Sequence, residues 1–154
     1  MDSQRKKSYG GGNENLLIHT GRSKEYISKE ILEEVKTIAL VGASSNPKKD
    51  SYKVMKFLLE KNYEVFPVNP NKKGKSILGQ YCYGDLQSIG LPIDMVEVFR
   101  KSEEVLGITK EAINIGSKVL WTQLGIIDKE AFKIAKNEGL KVVMNRCPKI
   151  ELKK

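Results

Sequence analysis

A chain of 154 residues, 40% apolar and 30% charged, has room for one domain with a sizeable core and the composition of a globular protein. Its formal charge of +8 favours anionic partners, but the basic residues are scattered and no Lys/Arg run alternates with aromatics, which argues against a nucleic-acid platform. No apolar run approaches the ~20 residues that span a bilayer, so no membrane partner is expected.

The first segment, residues 1–22, reads as a flexible, basic and Gly-rich tail. It holds the only histidine, His19, and lacks the apolar stretch of a secretory signal. Residues 23–154 read as one folded domain that opens with a helix over 23–35, where Ile27, Ile31, Leu32 and Val35 share a face. From there the pattern changes to alternating strands and helices. "TIALVG" (37–42) is short and nearly all apolar, as a strand buried on both faces of a parallel sheet must be. "SYKVMKFLLEKN" places Val54, Phe57 and Leu58 at helical spacing, and "YEVFPV" (63–68) is the next strand. Residues 79–83 predict a short edge strand, and "DLQSI" a helical turn opened by Asp85.

"DMVEVF" (94–99) predicts a further strand. Ser102 is the expected cap of "EEVLGITKEAINI", which stops at Gly116. "KVLWTQ" is another strand, Asp128 the expected cap of "KEAFKIAKNE" before Gly139, and "LKVVM" the last strand. Such alternation with short connections predicts an α/β fold: a Rossmann-like, doubly wound, mainly parallel sheet with right-handed crossovers. Ligands of these sheets bind beyond the carboxyl ends of the strands, near the switch point. That rule selects "GASSNPKKDS", "NPNKKG", "FRKSEE" and "TQLGI".

In the first segment, Gly42 permits a sharp turn, and Ala43, Ser44 and Ser45 are small enough for a phosphate to approach the main chain. Their amides, the following helix N-terminus and Lys53 in its first turn favour an anion. A polar loop with an exposed lysine is the plainer alternative. Only one glycine of the G-x-G-x-x-G dinucleotide fingerprint is present. In the second segment, Asn69 stands where NAD enzymes carry an acid for the ribose diol, and Lys72 and Lys73 follow. Two ammoniums in place of a carboxylate suit a phosphorylated ribose, as in NADP or coenzyme A, although "NPNKKGK" reads equally as a solvated turn. Phe99 and Arg100 offer a ring and a guanidinium to a nucleotide, with Phe99 equally suited to the core. Thr122, Gln123 and Gly125 present polar groups and close approach at another strand end, whereas Trp121 belongs to the core.

No Walker loop, nucleophile elbow, H-E-x-x-H or zinc spacing occurs, and no histidine lies in the α/β part. Asp50, Asp94 and Asp128 look like turn or cap residues. Cys147 is the plausible nucleophile, with Arg146 and Lys149 beside it to favour the thiolate, though a buried inert thiol is the commoner outcome. Cys82 and Cys147 lack metal-ligand spacing and favour a reducing, cytoplasmic setting over a disulfide scaffold.

Five motifs in order then carry a resemblance. "VGASSNPKKDSYKVMKFLLEKNYEVFPVNPNKKG", "GQYCYGDL", "VEVFRKSEEV", "VLWTQLGI" and "LKVVMNRCPKIE" resemble the small stand-alone CoA-binding proteins. Those are similar to the nucleotide-binding domain of the succinyl-CoA synthetase alpha subunit without its catalytic parts. The resemblance covers about residues 36–152 and implies a Rossmann-like sheet that binds coenzyme A or an acyl-CoA. By position it implies that Gly42, Ala43, Ser44 and Ser45 line a pyrophosphate turn, with Asn46 and Ser51 beside it. Asn69 and Pro70 would flank the adenosine, Lys72 would meet a CoA phosphate, and Phe99 and Arg100 would lie against the nucleotide. Thr122, Gln123, Leu124 and Gly125 would border the pantetheine arm. The synthetase's phosphorylated histidine belongs to a second domain outside the resemblance, so ligase activity is not implied and a non-catalytic carrier or sensor is expected. The competing readings are a small NADP-linked enzyme and, more distantly, a nucleic-acid-binding module. A sheet edge or helix face leaves a homodimer open.

Overall fold

The computed structural model describes residues 24–154, so the tail expected over 1–22 and His19 lie outside the described residues. Helix α1 (Lys24–Glu34) leads to strand β1 (Thr37–Val41), helix α2 (Asp50–Glu60) and strand β2 (Glu64–Val68). A 3-10 turn (Pro70–Lys72), the short strands β3 (Ser76–Ile77) and β4 (Gln80–Tyr81), and a second 3-10 turn (Gln87–Ile89) follow. Then come strand β5 (Met95–Val98), helix α3 (Ser102–Asn114), strand β6 (Val119–Thr122) and helix α4 (Lys129–Asn137). Strand β7 (Lys141–Val143) and helix α5 (Pro148–Leu152) come last.

The main sheet has the order β2-β1-β5-β6-β7, and every pairing in it is parallel. One register row crosses it through Pro67, Leu40, Glu97, Trp121 and Val143. Helices α1, α2 and α5 cover that face, with Ile31, Leu32, Met55, Leu58 and Cys147 packed over Ile38, Leu40, Met95 and Trp121. Helices α3 and α4 cover the other face through Val105, Ile108, Ala112, Phe132 and Ala135 over Val96, Val98, Leu120 and Val142. Burial on both faces is why β1, β5 and β6 read as continuous apolar runs. Each fully buried Leu or Ile contributes about 1.5–3 kcal/mol. Proline, which cannot donate to a ladder, is tolerated at position 67 because β2 is the outer strand. The fold is a single α/β domain, as the alternation predicts.

Three local expectations change. The edge strand expected over 79–83 breaks up, because Leu78 (φ 51°) and Gly79 (φ 80°) form a left-handed two-residue turn that folds β4 back on β3. There Tyr83 forms a single bridge to Val68 of the main sheet. Ser102 does not cap α3: the capping position is Lys101, without a side-chain bond. The Ser102 hydroxyl accepts instead from the Ile127 amide at 3.1 Å, and Glu103 and Glu104 supply the negative charge that a helix start favours. Asp128 caps α4 as expected, accepting from the Ala131 amide at 2.8 Å. Helix α5, absent from the sequence reading, begins with Pro148, the residue best suited to a first helical position. Among the described residues no helix is long and apolar enough to cross a membrane, and no group of His, Cys, Asp or Glu is placed to hold a metal ion.

Candidate functional site

From β1 the chain moves outward to β2, then returns across β1 to β5. The loops after β1 and β5 therefore part at the carboxyl end of the sheet, which opens a crevice there. Gly42 is the closest point of that opening. Its φ is 94°, and a Cβ on it would lie 2.9 Å from the Phe99 carbonyl oxygen and 3.0 Å from Arg100 Cδ. Only glycine fits.

The Gly42 and Ala43 amides both donate to the Val68 carbonyl, at 2.9 and 3.2 Å. The Ala43 amide, expected to face a phosphate, is thus already engaged with β2. The amides of Ser44 and Ser45 carry no partner among the described residues. The Ser44 hydroxyl accepts from the Asn46 amide at 3.0 Å, and Asn46 Oδ1 accepts from the Lys48 amide at 3.0 Å. These turns hold the free amides at the surface. Ser51 is buried in the first turn of α2. Lys53 points elsewhere: it borders an open groove between α2 and α5 with Lys56, Lys61, Lys149 and Lys153.

Asn69 staples the strand ends. Its Nδ2 donates to the Ala43 carbonyl at 2.8 Å and its Oδ1 accepts from the Asn71 amide at 2.9 Å. Both ends of the side chain are used in shaping the turn, so it acts by position. Beyond it, Pro70, Gly42 and Arg100 line a cleft of about 270 Å³ walled by Val41, Val68, Leu86 and Ile108. Lys73 leans over the rim, its Cδ 3.1 Å from where a Cβ on Gly84 would stand. Lys72 is half-buried, and its charge reaches Cys82.

The cleft also holds three carboxyls that sequence reasoning missed. Arg100 is paired with Glu104, with Nε to Oε1 at 3.0 Å and Nη2 to Oε2 at 3.3 Å. Asp85 and Glu111 complete the set. The Ser88 amide and hydroxyl hold the Asp85 carboxyl below its ordinary range, whereas burial, and then the charge of Asp85, pushes Glu111 up. Glu104, Ile108 and Glu111 recur every three or four residues along α3, the one sequence signal that could have found them.

At the end of β6 the segment Thr122 to Gly125 is sewn to the loop after β7. The Asn145 amide donates to Thr122 Oγ1 at 3.2 Å, and the Gly125 amide donates to Asn145 Oδ1 at 2.6 Å. Thr122 and Gln123 are buried, and Leu124 and Gly125 are exposed. Phe99 is half-buried and packs against the α2-side core. Trp121 is fully buried, its indole donating to the Arg146 carbonyl at 2.8 Å. The structure thus brings Gly42, Pro70 and Arg100 into one cleft, leaves Ser44 and Ser45 in the turn that follows Gly42, and sets Thr122 to Gly125 at another strand end of the same sheet.

The profile of the family described as CoA binding domain matches residues 36–153. The chain belongs to that family. A curated relative, the uncharacterized protein YneT of Bacillus subtilis, is 38% identical over 122 residues, covering 79% of this chain and 89% of YneT. Among solved structures, a hypothetical protein from Pyrococcus horikoshii OT3 is 40% identical with a TM-score of 0.80, covering 86% of this chain and 92% of its own. The dinucleotide forming acetyl-coenzyme A synthetase 1 of Ca. Korarchaeum cryptofilum shares the fold with a TM-score of 0.61 at 24% identity, matching 73% of this chain but 26% of the synthetase. The CoA binding domain described here therefore has the expected fold and the expected family, with its strand-end loops gathered at the switch point.

Proposed function

We propose that this CoA binding domain holds coenzyme A, as the free thiol or an acyl thioester, in the crevice at the carboxyl ends of the strands, and acts as a carrier or sensor and not as a catalyst. The observation that carries the reading is the arrangement around Gly42. A glycine whose Cβ would meet the Phe99 carbonyl lines the 270 Å³ cleft where the two loops diverge, and free amides at Ser44 and Ser45 follow it. Free amides and a small-residue turn suit a pyrophosphate. The apolar walls of the cleft suit a base, and Asp85 and Glu111 suit the amine and hydroxyl donors of an adenosine. Lys72 and Lys73, just beyond Asn69 where an acid would select NAD, suit a ribose 3′-phosphate. Family membership supports the same ligand. A reducing, cytoplasmic setting goes with this reading, since both cysteines are free thiols.

Calorimetric titration with CoA, dephospho-CoA, NADP and NAD tests it. Saturable CoA binding is expected, with dephospho-CoA weaker by roughly tenfold or more, because a charge-assisted phosphate contact contributes about 1.5–3 kcal/mol. Lys72→Glu should cost CoA far more than dephospho-CoA, and equal losses would remove Lys72 from the phosphate. Tight NADP binding without a response to CoA would overturn the ligand.

A further inference from the structure

Glu97 is the one acid in the register row through the middle of the sheet, between Leu40 and Trp121. It is fully buried, and neither carboxyl oxygen has a hydrogen-bond partner among the described residues. An acid buried without a partner at such a place destabilises the fold, so a role is expected of it. The titratable group whose charge it feels is the Cys147 thiol. Gln123, just beyond β6 toward the crevice, is also buried, and its Oε1 lacks a partner among the described residues. Cys147 follows the loop whose Asn145 is sewn to Thr122 and Gly125, and it packs in the same core cluster as Ala43 of the turn after β1. It keeps 7% of its surface exposed. Cys82 differs: it has no exposure, and its sulfur lies against the Asn69 and Tyr83 carbonyls at 3.9 and 3.7 Å. Glu97 thus interacts by charge with the Cys147 thiol and is in register with Trp121, whose indole holds the Arg146 carbonyl next to Cys147. Cys147 in turn follows the loop sewn to the strip that the resemblance sets along a pantetheine arm.

We propose that Cys147 is a thiol-exchange site that captures half of a pantetheine disulfide as a mixed disulfide, with Glu97 as the group that moves the proton. The inference rests on the CoA reading, because the arm of that ligand ends in a thiol. In the step, Cys147 Sγ attacks one sulfur of the disulfide. The old S–S bond breaks, the new one joins Cys147 to one half, and the other half leaves as a thiol. The Cys147 sulfur is oxidised and the leaving sulfur reduced. As Sγ attacks, the Glu97 carboxylate takes the Cys147 proton and then gives it to the leaving thiolate, so protons balance. Burial favours this relay, since it pushes the Glu97 carboxyl well above the ordinary carboxylate range and so makes its carboxylate a stronger base.

The test is intact-mass kinetics on the full chain with CoA disulfide, with cystamine as the comparison disulfide and calorimetry with CoA alongside. One CoA adduct is expected, reversed by dithiothreitol, absent from Cys147→Ser and retained in Cys82→Ser. CoA disulfide should react at least about tenfold faster than cystamine at equal concentration, a difference of about 1.4 kcal/mol in barrier. At saturating CoA disulfide, Glu97→Gln should react roughly a hundredfold more slowly near neutral pH, with a changed pH profile. A protein that binds CoA in the calorimeter but stays unmodified overturns the thiol site and leaves the CoA reading standing. Absence of CoA binding, with both disulfides reacting equally at Cys147, overturns the ligand and the pantetheine capture together. An unchanged rate and pH profile in Glu97→Gln removes Glu97 from the step.

Discussion

Replacing Gly42 by alanine separates two costs that are usually confounded. The position has φ 94°, and a non-glycine residue in that region costs about 1–2 kcal/mol. The added Cβ would also stand 2.9 Å from the Phe99 carbonyl oxygen, a backbone atom at the end of β5 that cannot swing aside, and 3.0 Å from Arg100 Cδ, which can. Forcing a methyl into such a contact costs about 1–3 kcal/mol more. Together the loss is roughly 2–5 kcal/mol, a large part of the ~5–15 kcal/mol that stabilises a domain. Gly139 supplies the control: its φ is 89°, but nothing lies within 4 Å of its would-be Cβ. Gly139→Ala should therefore lose only the conformational share, about 1–2 kcal/mol. Urea unfolding of both variants measures the difference as a shift in midpoint at constant slope. If Gly42→Ala were no less stable than Gly139→Ala, the close approach of the β1 and β5 loops, and the crevice built on it, would be refuted.

Two further outcomes follow from the charges. Glu104 holds Arg100 in a half-exposed ion pair, worth no more than about 1 kcal/mol to the fold. Glu104→Gln should leave stability within ~0.5 kcal/mol and tighten CoA binding by a few-fold as the guanidinium is released; weaker binding in the calorimeter would mean that Glu104 itself contacts the ligand. At the opposite end of the sheet, Asp94 Oδ2 accepts from the Lys36 and Thr37 amides at 2.8 and 3.3 Å, and Oδ1 lies 3.7 Å from Lys118. Burial pushes its carboxyl up, but the two amides and the Lys118 charge outweigh this and hold it below its ordinary range. A depressed acid stabilises the fold above its unfolded pKa of about 3.9, and that contribution is lost as pH falls through the folded value. Asp94→Ala should thus cost about 2 kcal/mol at neutral pH and progressively less below about pH 4, where the wild type protonates too. A gap that stays constant in urea melts down to about pH 2.5 would rule out the charge as its source.

What the chain settles locally was legible in its order of residues. Apolar runs at 37–42, 94–99 and 118–123 mark strands buried on both faces, because a strand that packs helices on each side needs no polar alternate. Asp128 could be read as a cap because capping needs only a side chain and an amide three residues away. Gly42 could be read as a turn, and Lys72 and Lys73 as cations beyond a strand, from position alone. Distance along the chain hides the rest. Ser102 binds Ile127 and not its own helix, and Asn69 spends its amide on Ala43 because two strand ends meet there. Lys53, expected at the phosphate, faces the groove between α2 and α5, while Glu104 and Glu111 turn towards the cleft from α3. Glu97 reads as one polar letter in an apolar strand, and only the packing of α5 over the sheet shows that it is buried without a partner beside Cys147. Sequence sets which groups are available and the local geometry that nearby residues impose. Which of them meet, and which are left unpaired, is decided by contacts between segments that only the folded sheet brings together.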